Sequence, residues 1–313
     1  MNNPIVVPYD GSEFSKRAFP LAVELARRAN APLHIVRVHL FSIPALEPQI
    51  EPPYTPDFLS ELLAYEREDL EKVRQELQGR GVVAVSALLT AGLVVPLLRD
   101  YIAQHTARCV VMTTHGRGGF NAMWLGSVAS GLVRSSPKPV ILIPIKDAAE
   151  PEITVSSVRH VLVALDGSSR AEQIIPSAVD IAHLFQARVT LLQIVPAVRV
   201  TEGFHPLAAV TGSTERTKAE HAAADVYLLA VADRQRTDGL EVQVETREDW
   251  QNTAHAILAV AEELNADLVA VSTLGRGAWS RMVIGSVADK VIRSARVGVL
   301  VWHAPEPGEP PGS

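Results

Sequence analysis

Cysteine is nearly absent: the chain of 313 residues carries one, Cys109, inside an apolar run. No disulfide can form within the chain, which fits a reducing compartment. Aromatic residues make up only 5% against 47% hydrophobic, so the core has to be built from Val, Leu, Ile and Ala. Long hydrophobic runs are missing too, and none approaches the roughly 18 residues of a membrane-spanning helix. The amino terminus, MNNPIVVPYDGS, lacks a positive segment followed by an apolar one, so no secretory leader is expected and the reading is a cytoplasmic protein. Basic runs are absent and the formal net charge is −6, which argues against nucleic acid or an anionic membrane as the main partner. The Gly-x-x-x-x-Gly-Lys-Ser/Thr signature of a P-loop nucleotidase does not occur, nor does a Ser-Gly-Gly ahead of an Asp-Ser. None of the ten histidines has another four residues away, and His34 and His39 point to opposite faces of one strand, so a side-chain metal site is not expected.

What the chain does have is an internal repeat. Residues 114–135 and 273–294, offset by 159, agree at 11 of 22 positions, and Asp10-Gly11-Ser12 returns as Asp166-Gly167-Ser168. Duplication and length both predict two domains of roughly 150 residues. We place them at 1–147 and 158–303, with a linker at 148–157 and a disordered tail at 304–313, where four prolines interrupt a stretch without hydrophobic periodicity. In the first copy the apolar runs 5–8, 33–38, 82–89, 109–112 and 140–145 read as strands. Helical periodicity falls between them at about 15–29, 59–78 and 94–105 and beyond Gly126-Ser127, while the five prolines of 41–58 rule out regular structure there. The second copy repeats the order, with strands at 161–165, 189–195, 240–246, 268–271 and 297–302 and helices at about 214–236 and 254–264. Continuous apolar strands alternating with helices predict an α/β fold: two tandem doubly wound parallel sheets of five strands, flanked by helices.

In such a sheet, ligands sit beyond the carboxyl ends of the strands, where the strand order reverses. Strand 1 ends at Asp10, or Asp166 in the second copy. Strand 4 runs into Gly116-Arg117-Gly118-Gly119, or Gly275-Arg276-Gly277-Ala278, before Gly126-Ser127 or Gly285-Ser286 opens a helix. A loop and helix start of this kind present backbone N–H groups to phosphates, and a carboxylate at the next strand end suits a ribose hydroxyl or an adenine amino group. Each motif also has a plainer use. Asp-Gly-Ser is a common turn and helix cap, and short glycine loops occur wherever a strand-to-helix turn needs φ > 0. Recurrence of both motifs in register in both copies favours a nucleotide site. Arg117 and Arg276 are shared and suit a phosphate, whereas His115 becomes Leu274 in the other copy and reads as packing.

On these residues the chain resembles a tandem member of the universal stress protein family, over almost all of 3–302. The family's nucleotide-binding branch carries Gly, two residues, Gly, nine residues, then Gly-Ser or Gly-Thr. Gly116 through Gly126-Ser127 and Gly275 through Gly285-Ser286 fit its second part, while Thr113 and Ser272 stand where the first glycine would be. The strand-1 aspartate occurs twice, as Asp10 after Pro8-Tyr9 and as Asp166 after Ala164-Leu165. The resemblance implies a backbone contact to adenine at Val38 and Ile194, and ATP, ADP or AMP as ligand, with Mg²⁺ carried by the nucleotide. Each sheet is expected in the order 3-2-1-4-5, which leaves an apolar fifth strand at an open edge. The resemblance implies that family dimers meet through this strand, so the two halves are expected to pair as an intramolecular pseudo-dimer. No residue compels a further homodimer or names a protein partner.

No general base is evident, so the expected role is a stress-related sensor or regulatory module rather than an efficient enzyme. A slow ATPase or phosphotransferase, with Asp10 or Asp166 positioning water, is one alternative. A nucleotide-free scaffold, favoured by Thr113 and Ser272, is the other. The first site is expected to be the stronger, because it keeps Pro8, Gly92 and Gly119 where the second has Ala164, Gln251 and Ala278. Asp10→Ala is expected to weaken binding with little effect on folding.

Overall fold

Aliphatic runs become strands in both halves because β-branched and leucine side chains fill both faces of a covered sheet. The computed structural model describes residues 2–39, 56–90, 92–115, 125–145, 157–196, 206–236, 239–249, 252–273 and 284–302. In the first half these contain β1 (Ile5–Pro8), β2 (Leu33–Val38), β3 (Ala84–Leu89), β4 (Cys109–Thr113) and β5 (Val140–Ile143). Between them lie α1 (Glu13–Lys16), α2 (Phe19–Arg28), α3 (Pro56–Gly79), α4 (Val94–Gln104) and α5 (Ser127–Ser135). The second half repeats this with β6 (His160–Leu165), β7 (Arg188–Pro196), β8 (Val242–Asp249), β9 (Leu268–Ser272) and β10 (Gly298–Trp302). Its helices are α6 (Ser169–Glu172), α7 (Ile175–Phe185), α8 (Pro206–Gln235), α9 (Thr253–Glu263) and α10 (Ser286–Ser294).

The strands form one sheet of ten, in the order β3-β2-β1-β4-β5-β10-β9-β6-β7-β8. Each half therefore has the expected order 3-2-1-4-5, and the two fifth strands meet. β5 and β10 run antiparallel, with Leu142 opposite Val299 and Val140 opposite Val301, whereas the other strand pairs are parallel. Every residue of β4 and β5 is buried. Pairing removes the open apolar edge that either half would have alone. One face of the sheet buries Ile5, Ile35 and Ile141 together with Val163 and Leu191, and the other buries Val6, Val110 and Leu142 together with Leu162 and Val269. Both cores thus run across the seam between the halves. On the helix side Arg108 Nε donates to Asp180 at 2.7 Å, and the Arg28 guanidinium lies 4.7 Å from the Phe185 ring centre.

The helix expected at 15–29 is broken in two. α1 ends at Lys16, and α2 restarts at Phe19 with Pro20 in its first turn; Pro176 does the same in α7. A proline ring has no N–H and collides with the carbonyl four residues back, so it fits only where a helix begins. α3 likewise begins at Pro56, inside the proline-rich stretch expected to be irregular, and α8 begins eight residues before the expected 214. The expected tail lies outside the described residues, as does the linker apart from residue 157. No helix among the described residues is long and apolar enough to cross a membrane.

Candidate functional site

β1 pairs with β2 on one side and with β4 on the other, so the chain order reverses at β1. The registers Pro8↔Val36 and Val6↔Val110, continued to the strand ends, put Asp10 between Val38 and Thr114. In the second half Leu165↔Gln193 and Ala164↔Val271 put Asp166 between Ile194 and Thr273. Both aspartates therefore stand on the carboxyl rim at a switch point, where ligands of doubly wound sheets bind.

The two Asp-Gly-Ser turns are built alike. Asp10 Oδ1 accepts the Ser12 amide at 2.9 Å and the Ser12 hydroxyl at 2.6 Å; Asp166 Oδ1 accepts the same two groups of Ser168 at 2.9 and 2.6 Å. Gly11 and Gly167 have φ of +85° and +81°, a backbone that side chains with a Cβ resist. The serine hydroxyls then cap α1 and α6 by accepting the amides of Ser15 and Ala171. The plainer use of the motif is thus realised in both halves, and the same bonds orient each half-buried carboxylate on the rim.

Across from each aspartate a helix starts at a glycine. Gly126 and Gly285 are the N-cap residues of α5 and α10, and neither offers a side-chain cap to the first amides. The glycine suits a close backbone approach here. Gly126 N–H donates to Thr114 O at 2.8 Å, and a Cβ at position 126 would stand 3.0 Å from that same oxygen; Gly285 and Thr273 repeat both distances. Ser127 and Ser286 are the first residues of the two helices, beside their uncapped amides. An uncapped helix start beside a carboxylate on one rim accommodates a ligand with an anionic and a hydrogen-bond-donating end.

Thr113, at the end of β4, is buried, and its hydroxyl donates to the His115 carbonyl at 2.7 Å, so that proton is committed within the turn. Ser272 holds the matching place at the end of β9. Gly116, Arg117, Gly275 and Arg276 lie outside the described residues, as do Gly119, Ala278 and Gln251. No cluster of His, Cys, Asp and Glu suited to a metal ion occurs among the described residues. A cavity of about 530 Å³ lies on the opposite rim of the second half, among Arg159, Glu262, Asp267 and Arg296, away from both aspartates.

The sequence reading missed an ionic network beside the first site. Arg37 donates to Glu66 Oε1 at 3.0 Å and to Asp69 Oδ2 at 2.8 Å, while His39 Nδ1 lies 2.8 Å from Glu66 Oε2. Arg37, His39 and Glu66 are all buried. Burial, reinforced by the Asp69 carboxylate, pushes the Tyr9 phenol well above its usual range. The available signal was charge at the inward positions of an otherwise apolar strand and helix: Arg37 and His39 two apart, Glu66 and Asp69 three apart.

The model of the universal stress protein family matches twice, at 1–144 and at 157–303. A universal stress protein of Mycobacterium tuberculosis is 28% identical over 301 residues, 95% of each chain. One from Thermus aquaticus is 34% identical over 145 residues, 46% of this chain and 99% of its own. Among solved structures, a universal stress protein from Archaeoglobus fulgidus matches with TM-score 0.62 at 22% identity, over 97% of each chain.

Proposed function

The chain belongs to the universal stress protein family as a tandem member, and from that premise we propose that it binds an adenine nucleotide, ATP or a relative, as a sensor or regulatory module. The observation that carries the reading is that each half sets an oriented carboxylate and an uncapped helix start side by side at its switch point. Asp10 or Asp166 accepts from a ribose hydroxyl or the adenine amino group, and the chain at Val38 or Ile194 flanks the base. The phosphates lie toward the amides that open α5 or α10, with Ser127 or Ser286 beside them and Gly116, Arg117, Gly275 and Arg276 in the adjoining loops. Mg²⁺ is held by the phosphates, since hard divalent cations at such sites are bound largely through the nucleotide. The two nucleotide units correspond to 1–147 and 158–303.

The test is mass spectrometry of small molecules released from protein purified without added nucleotide, followed by calorimetry with ATP and AMP. An adenine nucleotide in the released fraction, or saturable heat with either ligand, supports the reading. No released nucleotide and no binding at millimolar ligand would refute it. The commitment of the Thr113 hydroxyl to the His115 carbonyl favours a second reading, a nucleotide-free scaffold acting through partner surfaces. A negative result in both assays would leave that one standing.

A further inference from the structure

The network of Arg37, His39, Glu66 and Asp69 joins three elements at the rim of the first site. Arg37 and His39 lie at the end of β2 on either side of Val38, while Glu66 and Asp69 lie on α3. Tyr9, next to Asp10 at the end of β1, faces the same Asp69. The His39 amide also donates to Leu89 O at 2.8 Å, tying the β2 end to β3.

The second half packs the same elements without these charges. Sheet register puts Gln193 and Val195 at the places of Arg37 and His39. The buried pairs Leu70, Val73 and Leu228, Val231 align the long helices, which puts Ala224 and Tyr227 at the places of Glu66 and Asp69. Leu165 stands where Tyr9 does. There α8 is tied to β8 instead, by His221 3.0 Å from Glu248 and by Asp225 accepting from the Thr246 hydroxyl at 2.6 Å, so the helix can be held over this sheet without a Glu66–Arg37 pair. Buried ion pairs add little net stability over such packing, because desolvation offsets most of their attraction. They add direction: Glu66 receives one strand residue on each carboxylate oxygen, so the main chain at Val38 is held from both sides.

We propose that Glu66 and Asp69 are positioning residues for the first nucleotide site, holding the β1 and β2 ends in their ligand-ready geometry, and that the second site lacks this hold. The proposal rests on the nucleotide reading above. It accounts for a stronger first site by preorganisation, which lowers the cost of ordering on binding.

The experiment uses the full chain with Glu66→Ala and with Glu66→Ala combined with Arg37→Gln, both changes taken from the second half. Glu66→Ala leaves the buried Arg37 guanidinium with Asp69 in place of two carboxylates and is expected to lower the melting temperature. The double variant removes that under-compensated buried charge and is expected to recover most of the loss. ATP affinity of the tighter class, measured by calorimetry, is expected to stay about tenfold weaker in the double variant. Amide exchange at Val38 and His39, without nucleotide, is expected to speed up there while Ile194 and Val195 are unchanged. Affinity recovering in step with melting temperature would make the network structural only and overturn the proposal. Unchanged exchange at Val38 and His39 would overturn it whether or not nucleotide binds. A wild-type chain that fails to bind ATP refutes the nucleotide reading itself and the proposal with it, and the exchange data then report separately on the hold.

Discussion

The charge of Asp10 can be separated from its turn. Oδ1 takes the Ser12 amide and hydroxyl at 2.9 and 2.6 Å, and the amide oxygen of asparagine accepts both in the same kind of turn. Asp10→Asn is therefore expected to keep the turn and the cap on α1, with stability within about 0.5 kcal/mol of wild type. Asp10→Ala removes the acceptor altogether. Hydrogen bonds to charged groups contribute about 1.5–3 kcal/mol each. Because Asp10 is only half-buried, the pair is worth about 2 kcal/mol together by the same scale. Asp10→Ala is therefore expected to cost more folding stability than the sequence alone suggests, since the turn depends on that oxygen. Binding behaves differently. Asparagine puts an NH₂ where a carboxylate oxygen would accept from ribose or adenine, so Asp10→Asn is expected to cost about 1–3 kcal/mol, roughly a five- to 150-fold rise in Kd. Calorimetric titration with ATP, run beside thermal unfolding of both variants, reads the two effects apart. Wild-type affinity in Asp10→Asn would refute the ligand role and leave Asp10 a turn residue.

Three further outcomes are expected. Gly126→Val and Gly285→Val each drive a Cβ to 3.0 Å from a backbone oxygen and open a 2.8 Å hydrogen bond; the first should remove the tighter phase of an ATP titration and the second the weaker one, and the reverse assignment would show that the second site dominates. His34 is buried against the Tyr101 hydroxyl at 2.9 Å with the His105 ring 5.3 Å away, and burial lowers its pKa from 6.5 to about 4. The unfolded chain then binds the extra proton, so stability present above pH 6.5 is lost as pH falls toward 4, by up to about 3 kcal/mol; denaturant melts of His34→Gln should show a flatter profile over that window, and an unchanged profile would contradict the assignment. Thr106 sits just beyond α4 at φ +46°, where its counterpart is Asn265 at +51°, so Thr106→Asn is expected to stabilise by about 0.5–1 kcal/mol in thermal unfolding, and a fall in melting temperature would argue against the strain.

The duplication, the fold class and the rim follow from the order of residues along the chain. Apolar runs of four to six residues, such as Val140–Ile143, report a strand covered on both faces because each residue there must be apolar. The repeated Asp-Gly-Ser and Gly-Ser pairs could be placed beyond strands 1 and 4 from chain order alone. Proline placed less well: Pro20 and Pro56 are compatible with a helix start or with a break, and the choice depends on what the following turn packs against. Tertiary structure alone decided what distant residues do to one another. Whether β5 meets β10, and in which sense, depends on two edges 159 positions apart finding the same seam. The 3.0 Å approach that favours glycine at 126 is a distance between two segments, and no local pattern encodes it. Arg37 and Glu66 are 29 residues apart and become partners only once α3 lies over β2. Local periodicity records which face a residue presents, whereas the partner across that face is chosen by packing of the whole sheet and its helices.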